Sequence, residues 1–259
     1  MKVAAIQFEA EAGAIERNRQ KAAEMIREAA KAGAELIVLP EFWPAGFEQR
    51  YASVQAETMR GASINILRKL AKERKIFIVG GSLAEKRDGR LYNTAAAIND
   101  MGEITAKYRK VHLYPHEKEV FSPGDEWKLS EYAGLTIGMM ICYDIYFPEF
   151  ARNLCLRGAQ LLVIPSACED DAIERLHILA VARAVENHCF VIVANGCKGN
   201  LAGCSIIASP RGQILAKAGH NETALMADLD MDDLHCLRKQ LNTVNDRRNI
   251  LDEIDNSQL

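Results

Sequence analysis

Three side chains of different chemistry follow apolar runs of the sequence. Glu41 comes directly after "ELIVLP", Lys110 lies near the end of "EITAKYRKVHL", and Cys142 ends "LTIGMMIC". A thiol can attack a carbonyl carbon, a carboxylate can take and return its proton, and an ammonium can stabilise the negative charge that develops on the oxygen. These three residue types together suit acyl transfer.

Each of these residues also has an ordinary structural interpretation. Cysteine is among the most buried residue types, so Cys142 could simply pack in the core. Glu41 could be a loop residue, and Lys110 could be a solvated charge at the end of a strand. The residue types alone do not decide between these interpretations. The elements that carry the three side chains must therefore be considered.

Short β-branched runs alternate with longer amphipathic runs along the whole chain. The first, "VAAIQF", predicts a strand, and a helix is predicted over 14–33, ending at Gly33. Two such strand–helix units with added hairpins predict two packed sheets with helices on both outer faces. The other predicted strands are "ELIVLP", 76–85, 90–100, 103–113, "LTIGMMIC", "QLLVIP", "CFVIVANG", "GCSIIASPRGQILAKAG" and "TALMADLD"; the other predicted helices are 57–75, "PEFARNLCLRGA" and "DAIERLHILAVARAVENH".

The three polar residues fall at the carboxyl ends of predicted strands. In sheets of buried parallel strands, ligands bind at these ends, where loops can direct side chains into a crevice. Glu41, Lys110 and Cys142 are therefore expected to converge on one site.

Composition excludes several classes of function. The chain has 259 residues, 32 basic and 35 acidic side chains and a net charge of −3, without a basic stripe, so we expect no nucleic-acid or membrane partner. No apolar run approaches the roughly 20 residues that span a bilayer. The seven cysteines are odd in number and form no CxxC pair, and the N-terminus does not resemble a signal peptide. These features predict a reduced, cytoplasmic protein with a single domain over 1–259 and a tail after about residue 246.

Several segments resemble, in order, the signature segments of the nitrilase superfamily of carbon–nitrogen hydrolases. They are "LPEFWPAGF", "LYNTAAAIN", "KYRKVHLYPHEKEVFSPGD", "GMMICYDIYFPEFAR", "ARAVENHCFVIVAN" and "CSIIASPRGQILAKAG". The resemblance extends from about residue 3 to Asp246–Arg248. It implies a four-layer α-β-β-α sandwich, a homo-oligomer that pairs across a helical face, and chemistry without a metal or organic cofactor.

The resemblance also implies a role for each matched residue. Glu41 matches the general base, Lys110 the catalytic lysine and Cys142 the nucleophile. The second glutamate of the family lies four residues before the Phe of an F-x-P-G turn, which selects Glu117; Glu119 is a rival that breaks this spacing. A catalytically silent binding subunit is a second hypothesis, but all four expected residues are present. Acyl transfer to an amine is a third.

The residues after the nucleophile distinguish branches of the family. True nitrilases usually carry Cys-Trp-Glu, whereas this chain has Cys142, Tyr143 and Asp144. The sequence is therefore more similar to the amidase and carbamoylase branches, which favours hydrolysis of a small carboxamide through a thioester. The backbone N–H of Tyr143 is expected to help bind the oxyanion.

The sequence-based expectation about the substrate depends on Tyr146. The branch similar to ω-amidases has an Arg at this position, four residues after the nucleophile, which can bind a substrate carboxylate. A phenol cannot supply that charge, so a neutral amide is ranked first, with N-carbamoyl compounds and ω-amides as alternatives. Arg175 or Lys198 could instead supply the cation from another wall. Cys168, at the end of another buried strand, could line the pocket or simply pack.

Overall fold

The structure is a computed structural model and describes residues 1–241, 243–244 and 246–248. The predicted tail after about residue 246 therefore lies mainly outside the described residues. The strands are β1 (Lys2–Gln7), β2 (Leu36–Val38), β3 (Phe77–Val79), β4 (Leu83–Arg87), β5 (Arg90–Ile98), β6 (Ile104–Arg109), β7 (Leu129–Tyr132), β8 (Leu135–Met139), β9 (Leu161–Ser166), β10 (Phe190–Asn195), β11 (Cys197–Lys198), β12 (Leu201–Ala202), β13 (Ile206–Ala208), β14 (Ile214–Lys217) and β15 (Thr223–Asp228). The α-helices are α1 (Ile15–Lys31), α2 (Gln49–Val54), α3 (Ala62–Arg74), α4 (Pro148–Leu156), α5 (Ile173–Asn187) and α6 (Met231–Gln240).

Most strands belong to two sheets. The first sheet has the order β15-β1-β2-β3-β5-β4, with β6 on the other edge of β5. The second has the order β14-β13-β10-β9-β8-β7. Within them, β1, β2 and β3 run parallel, as do β8, β9 and β10. Each sheet thus has three parallel strands whose carboxyl ends lie at the same end of the sheet.

The strands are apolar on both faces because both faces are covered. Val3 and Ala5 of β1 belong to a core cluster that also contains side chains of the second sheet, such as Ile137. The intervening residues Ala4 and Ile6 pack against α1 and α3 on the outside. Helices α4 and α5 cover the outer face of the second sheet in the same way. The predicted α-β-β-α arrangement is confirmed. In the described part of the chain, no helix is long and apolar enough to cross a membrane.

Four predicted elements were wrong in their boundaries. The strand predicted over "GCSIIASPRGQILAKAG" is a hairpin of two strands, β13 and β14, which pair antiparallel. The strand predicted over 76–85 is divided into β3 and β4, because the chain turns at 80–82 and both pieces pair with the same strand, β5. The strand predicted over 103–113 ends at Arg109, and the helix predicted over 57–75 begins at Ala62. The corrections at 76–85 and 103–113 matter for function. The turn at 80–82 contacts Pro40 and Phe42, on either side of Glu41, and Lys110 lies just beyond β6.

Gly81 makes the close approach between this turn and the segment that carries Glu41. Its φ is +58°, and a Cβ there would lie 2.1 Å from the carbonyl oxygen of Pro40 and 2.7 Å from Cδ1 of Trp43. The same turn also forms hydrogen bonds: the indole of Trp43 donates to the oxygen of Gly80 at 2.8 Å, and the N–H of Ser82 donates to Pro40 at 3.1 Å. The backbone at Gly81 thus fixes where the Glu41 segment lies.

We expect Gly81→Ala to reduce the free energy of unfolding by about 1–3 kcal/mol more than Gly89→Ala, because only the first adds an overpacking clash. Gly89 is a matched control, since its φ is also positive, at +76°, but a Cβ there would meet no atom within 4 Å. Urea unfolding of the two variants measures the difference. An equal decrease in the free energy of unfolding of the two variants would contradict the packing role of Gly81.

Candidate active site

Four side chains predicted from the sequence meet at one end of the two sheets. Glu41 follows β2, Lys110 directly follows β6 and Cys142 follows β8, while Glu117 lies in a short 3₁₀ helix, Pro115–Glu119. All four line one cavity of about 700 Å³, a volume that includes its opening to solvent. The expectation that these strand ends converge agrees with this arrangement.

Lys110 lies at the centre of the polar cluster. Its ammonium is only 2% exposed and donates to Oε1 of Glu41 at 2.8 Å and to Oε2 of Glu117 at 2.6 Å. An ammonium has three donors. Two of them are used by the carboxylates, so one remains for a group that enters the cavity.

Asn93, on β5, joins the same two carboxylates from the other side. Its amide nitrogen donates to Oε1 of Glu41 at 2.8 Å and to Oε1 of Glu117 at 2.9 Å. Sequence reasoning missed this residue as part of the site. The available signal was a single amide side chain at the start of the alanine-rich run "NTAAAIN".

The two glutamates differ in how many of their carboxylate oxygens already accept a hydrogen bond. Both bonds to Glu41 fall on Oε1, and no donor among the described residues binds its Oε2. Glu117 accepts from Asn93 on Oε1, and from Lys110 and the backbone N–H of Tyr114 on Oε2, the last at 2.8 Å. Glu41 therefore keeps an oxygen for proton exchange, whereas both oxygens of Glu117 are occupied.

The electrostatics of the cavity keep the thiol protonated. Burial raises the pKa of Glu41, and the attraction of Lys110 opposes this effect. Burial, followed by the charge of Glu41, raises the pKa of the Cys142 thiol well above its ordinary value. Burial alone would lower the pKa of Lys110, but the negative charges around it, Glu41 first, raise it. At neutral pH the site thus holds a cationic lysine and a neutral thiol that needs a base.

The turn that carries Cys142 is fixed by a buried carboxylate. Cys142 has a positive φ of +42°, which a side chain other than glycine seldom adopts. Asp144 accepts from the N–H of Ile141 at 2.8 Å, from the hydroxyl of Tyr108 at 2.6 Å and from the N–H of His112 at 3.0 Å. Because Tyr108 and His112 flank Lys110 in the chain, Asp144 couples the position of the thiol to that of the lysine.

The predicted substrate-binding residues also line the cavity. Tyr143, Tyr146 and Cys168 are among its lining residues. Burial raises the pKa of Cys168 to about 12, so this thiol is neutral as well. Over the part of the chain that is described, no group of three or more His, Cys, Asp or Glu side chains could hold a metal ion.

Of the two basic residues considered from the sequence, one lies in the cavity wall. Arg175 lines the cavity near the start of α5, beside Tyr146. Lys198 lies outside the lining and pairs with Glu9 at 3.6 Å. The sequence-based ranking of neutral amides above ω-amides relied on Tyr146 alone. The presence of Arg175 in the same cavity wall weakens that ranking.

Comparison with known proteins identifies the family. The carbon–nitrogen hydrolase family model matches residues 2–239. The chain belongs to the carbon–nitrogen hydrolase family. Among relatives, the omega-amidase NIT2 of Bos taurus is 36% identical over 253 residues and that of Xenopus tropicalis 35%, each match covering 92% of both chains.

Similar solved structures agree with this family assignment. Saccharomyces cerevisiae Nit3, a member of branch 10 of the nitrilase superfamily, is 32% identical with a TM-score of 0.88, covering 93% of this chain and 94% of that one. A mutant amidase from Nesterenkonia sp. AN1, which shows Michael addition of acrylamide at its active-site cysteine, is 31% identical with a TM-score of 0.84, covering 93% and 98%. The predicted nitrilase-superfamily membership is confirmed, and the protein is an amidase-type hydrolase that acts by cysteine-dependent amide hydrolysis.

The two neighbouring glutamates can be separated by mutation. Glu117 is buried against Lys110, whereas Glu119 is exposed. We expect Glu117→Gln to reduce kcat by about 10²-fold or more, because it removes the negative charge that holds Lys110 in place, and Glu119→Gln to retain most activity. Steady-state release of ammonia from a small amide measures both. Loss of activity in Glu119→Gln alone would contradict the assignment.

Proposed function

We propose that the hydrolase cleaves a small primary amide with Cys142 as nucleophile and Glu41 as general acid and base. The observation that carries the proposal is that the two buried carboxylates differ in their hydrogen bonds. Glu41 keeps Oε2 free of donors from the described residues, while both oxygens of Glu117 are occupied around Lys110. Only one of the two buried carboxylates is therefore equipped to move a proton.

In the first half of the reaction, the thiol proton passes to Glu41 as the sulfur attacks the amide carbon. The raised pKa of Glu41 makes it a stronger base than an ordinary glutamate, which suits a thiol whose own pKa is raised. The tetrahedral intermediate then collapses, and Glu41 returns the proton to the departing nitrogen. Ammonia leaves, and a thioester remains on Cys142.

In the second half, water replaces ammonia in the cavity. Glu41, again unprotonated, takes a proton from this water as its oxygen attacks the thioester carbon. Collapse of the second intermediate expels the thiolate, which recovers its proton from Glu41. The products are a carboxylic acid and the free enzyme, and the same carboxylate has served both halves.

The oxyanion in both halves is bound by the third N–H of Lys110 and the backbone N–H of Tyr143. Loss of one such donor typically costs about 3–4 kcal/mol of transition-state stabilisation. Glu117 keeps Lys110 protonated and directs it into the cavity. Because Lys110 is already charged and fixed before substrate enters, little reorganisation is needed as the negative charge develops.

The relatives named omega-amidase support a substrate that is the terminal amide of a short acid. The cavity of about 700 Å³, lined in part by Phe47, Tyr143 and Leu176, suits a small substrate better than a peptide. We therefore place ω-amides of short acids above N-carbamoyl compounds and nitriles.

We also propose that the enzyme acts in the cytoplasm as a homo-oligomer. All seven cysteines are free thiols, which is typical of a reducing compartment. On the outer face of α5, Ile178 and Val185 are 68% and 43% exposed and lie seven residues apart, on one side of the helix. Pairing of two copies across this face would cover these apolar side chains.

We expect Cys142→Ala to reduce turnover by about 10³-fold or more while the thermal unfolding transition stays cooperative. In wild type, a slowly hydrolysed amide should leave an acyl adduct on the tryptic peptide 129–152, in which Cys142 is the only cysteine. Mass spectrometry after acid quench detects it. The exposed Cys236 provides a control, since Cys236→Ala should keep full activity. An adduct on peptide 158–175, which contains Cys168, would contradict the proposal.

A further inference from the structure

Asn93 contacts Glu41, Lys110 and Glu117, although it does not line the cavity itself. It lies on β5 and is fully buried. Its side-chain nitrogen donates to both glutamates, and its backbone oxygen accepts from the N–H of Lys110 at 2.8 Å. The residues that line the cavity include these three charged groups but not Asn93. Asn93 can therefore affect the reaction through the charged groups and not through contact with the substrate.

The neighbours of the Asn93 amide dictate its orientation and leave its oxygen without a partner. The amide nitrogen donates to two carboxylate oxygens, at 2.8 and 2.9 Å. A reversed amide would place its oxygen against these two acceptors, which would repel it. In the observed orientation Oδ1 is buried and accepts no hydrogen bond from the described residues. Because a buried acceptor without a donor reduces stability, this arrangement indicates a role beyond packing.

The bond from Asn93 restricts which oxygen of Glu41 can exchange a proton. Oε1 of Glu41 accepts from both Asn93 and Lys110, so rotation of the carboxylate would break two hydrogen bonds at once. Oε2 therefore stays available. A neutral donor at this place also differs from a second cation, which would stabilise the charged carboxylate more strongly and make it a weaker base.

We propose that Asn93 is a positioning residue for the general base: together with Lys110 it holds Oε1 of Glu41, and this keeps Oε2 as the oxygen that exchanges the proton with Cys142. This inference rests on the proposed role of Glu41. It assigns to one uncharged side chain both the orientation of the base and part of the control of its basicity.

The groups around Glu41 determine the sign of the effect that Asn93 has on its pKa. The titratable groups that face Glu41 come from four parts of the chain: Lys110 after β6, Glu117 in the 3₁₀ helix, Cys142 after β8 and Cys168 after β9. Burial raises the pKa of Glu41, the charge of Lys110 lowers it, and the charge of Glu117 raises it. The hydrogen bonds from Lys110 and Asn93 lower it further. Loss of the Asn93 donors therefore raises the pKa of Glu41.

The pH profile of kcat/KM for a small neutral amide tests the inference. Asn93→Leu keeps the approximate shape of the side chain and removes its donors. It should reduce kcat/KM at neutral pH by about tenfold or more, and it should move the acid limb to higher pH because Glu41 is then protonated at a higher pH. Asn93→Asp adds a negative charge beside Glu41 and should move the acid limb further in the same direction. In both variants KM should change less than kcat, since Asn93 lies outside the cavity lining.

Asn187 provides a matched control. It is also fully buried, donates to the backbone oxygen of Arg183 at 2.9 Å and has a buried Oδ1 without a partner among the described residues. It is the last residue of α5 and lies outside the cavity lining. Asn187→Leu should change the midpoint of thermal unfolding but leave the acid limb at its wild-type position.

The profiles are compared for variants whose thermal unfolding stays cooperative, and Asn93→Asp decides if Asn93→Leu does not fold. An acid limb at the wild-type pH in the Asn93 variants, an equal shift in Asn187→Leu, or failure of both Asn93 variants to fold would overturn the inference. Glu41→Gln tests the proposed function separately. An inactive Glu41→Gln enzyme that unfolds cooperatively supports Glu41 as the base whatever the Asn93 variants do, whereas wild-type activity in Glu41→Gln would refute the proposed function.

Discussion

The buried ammonium of Lys110, shared between Glu41 and Glu117, is the interaction on which the rest of the site depends. Two carboxylates without it would repel each other at a position that excludes water. Their bonds to Lys110, at 2.8 and 2.6 Å, and to the amide of Asn93 make the pair stable. Breaking such a buried set by removing one partner typically costs about 3–5 kcal/mol. The same contacts give the two glutamates different roles, because they occupy both oxygens of Glu117 and only one of Glu41.

The two sheets supply the geometry that this charge cluster requires. The N–H of Glu41 donates across the sheets to the oxygen of Ser166, the last residue of β9, at 3.3 Å. Phe42 and Cys142 both have a positive φ, at +51° and +42°, so the chain is strained beside the base and at the nucleophile. Packing of the surrounding core holds these turns in place. The closely packed sandwich therefore serves the chemistry by fixing both strained turns within one cavity.

The sequence predicted the strands that are buried on both faces and the residues at their ends. It did not predict the division of 76–85, because the turn at Gly81 interrupts a run whose only polar side chains are Ser82 and Glu85. It missed α6, although Asp230 caps that helix by accepting from the N–H groups of Asp232 and Asp233. Asn93 was missed because one amide in a strand does not reveal its partners. Arg175 was only one of two alternatives, since sequence does not distinguish a cavity mouth from open solvent.

The pH dependence of acylation tests the central claim most directly. If the free oxygen of Glu41 takes the thiol proton, kcat/KM for a neutral amide must fall as pH decreases through the pKa of Glu41. Because burial raises that pKa, the acid limb should lie above the ordinary value of 4.5. Ultraviolet titration should also detect no Cys142 thiolate at neutral pH, as its raised pKa requires. An acid limb at or below 4.5, or a thiolate signal at neutral pH that Cys142→Ala removes, would contradict the account.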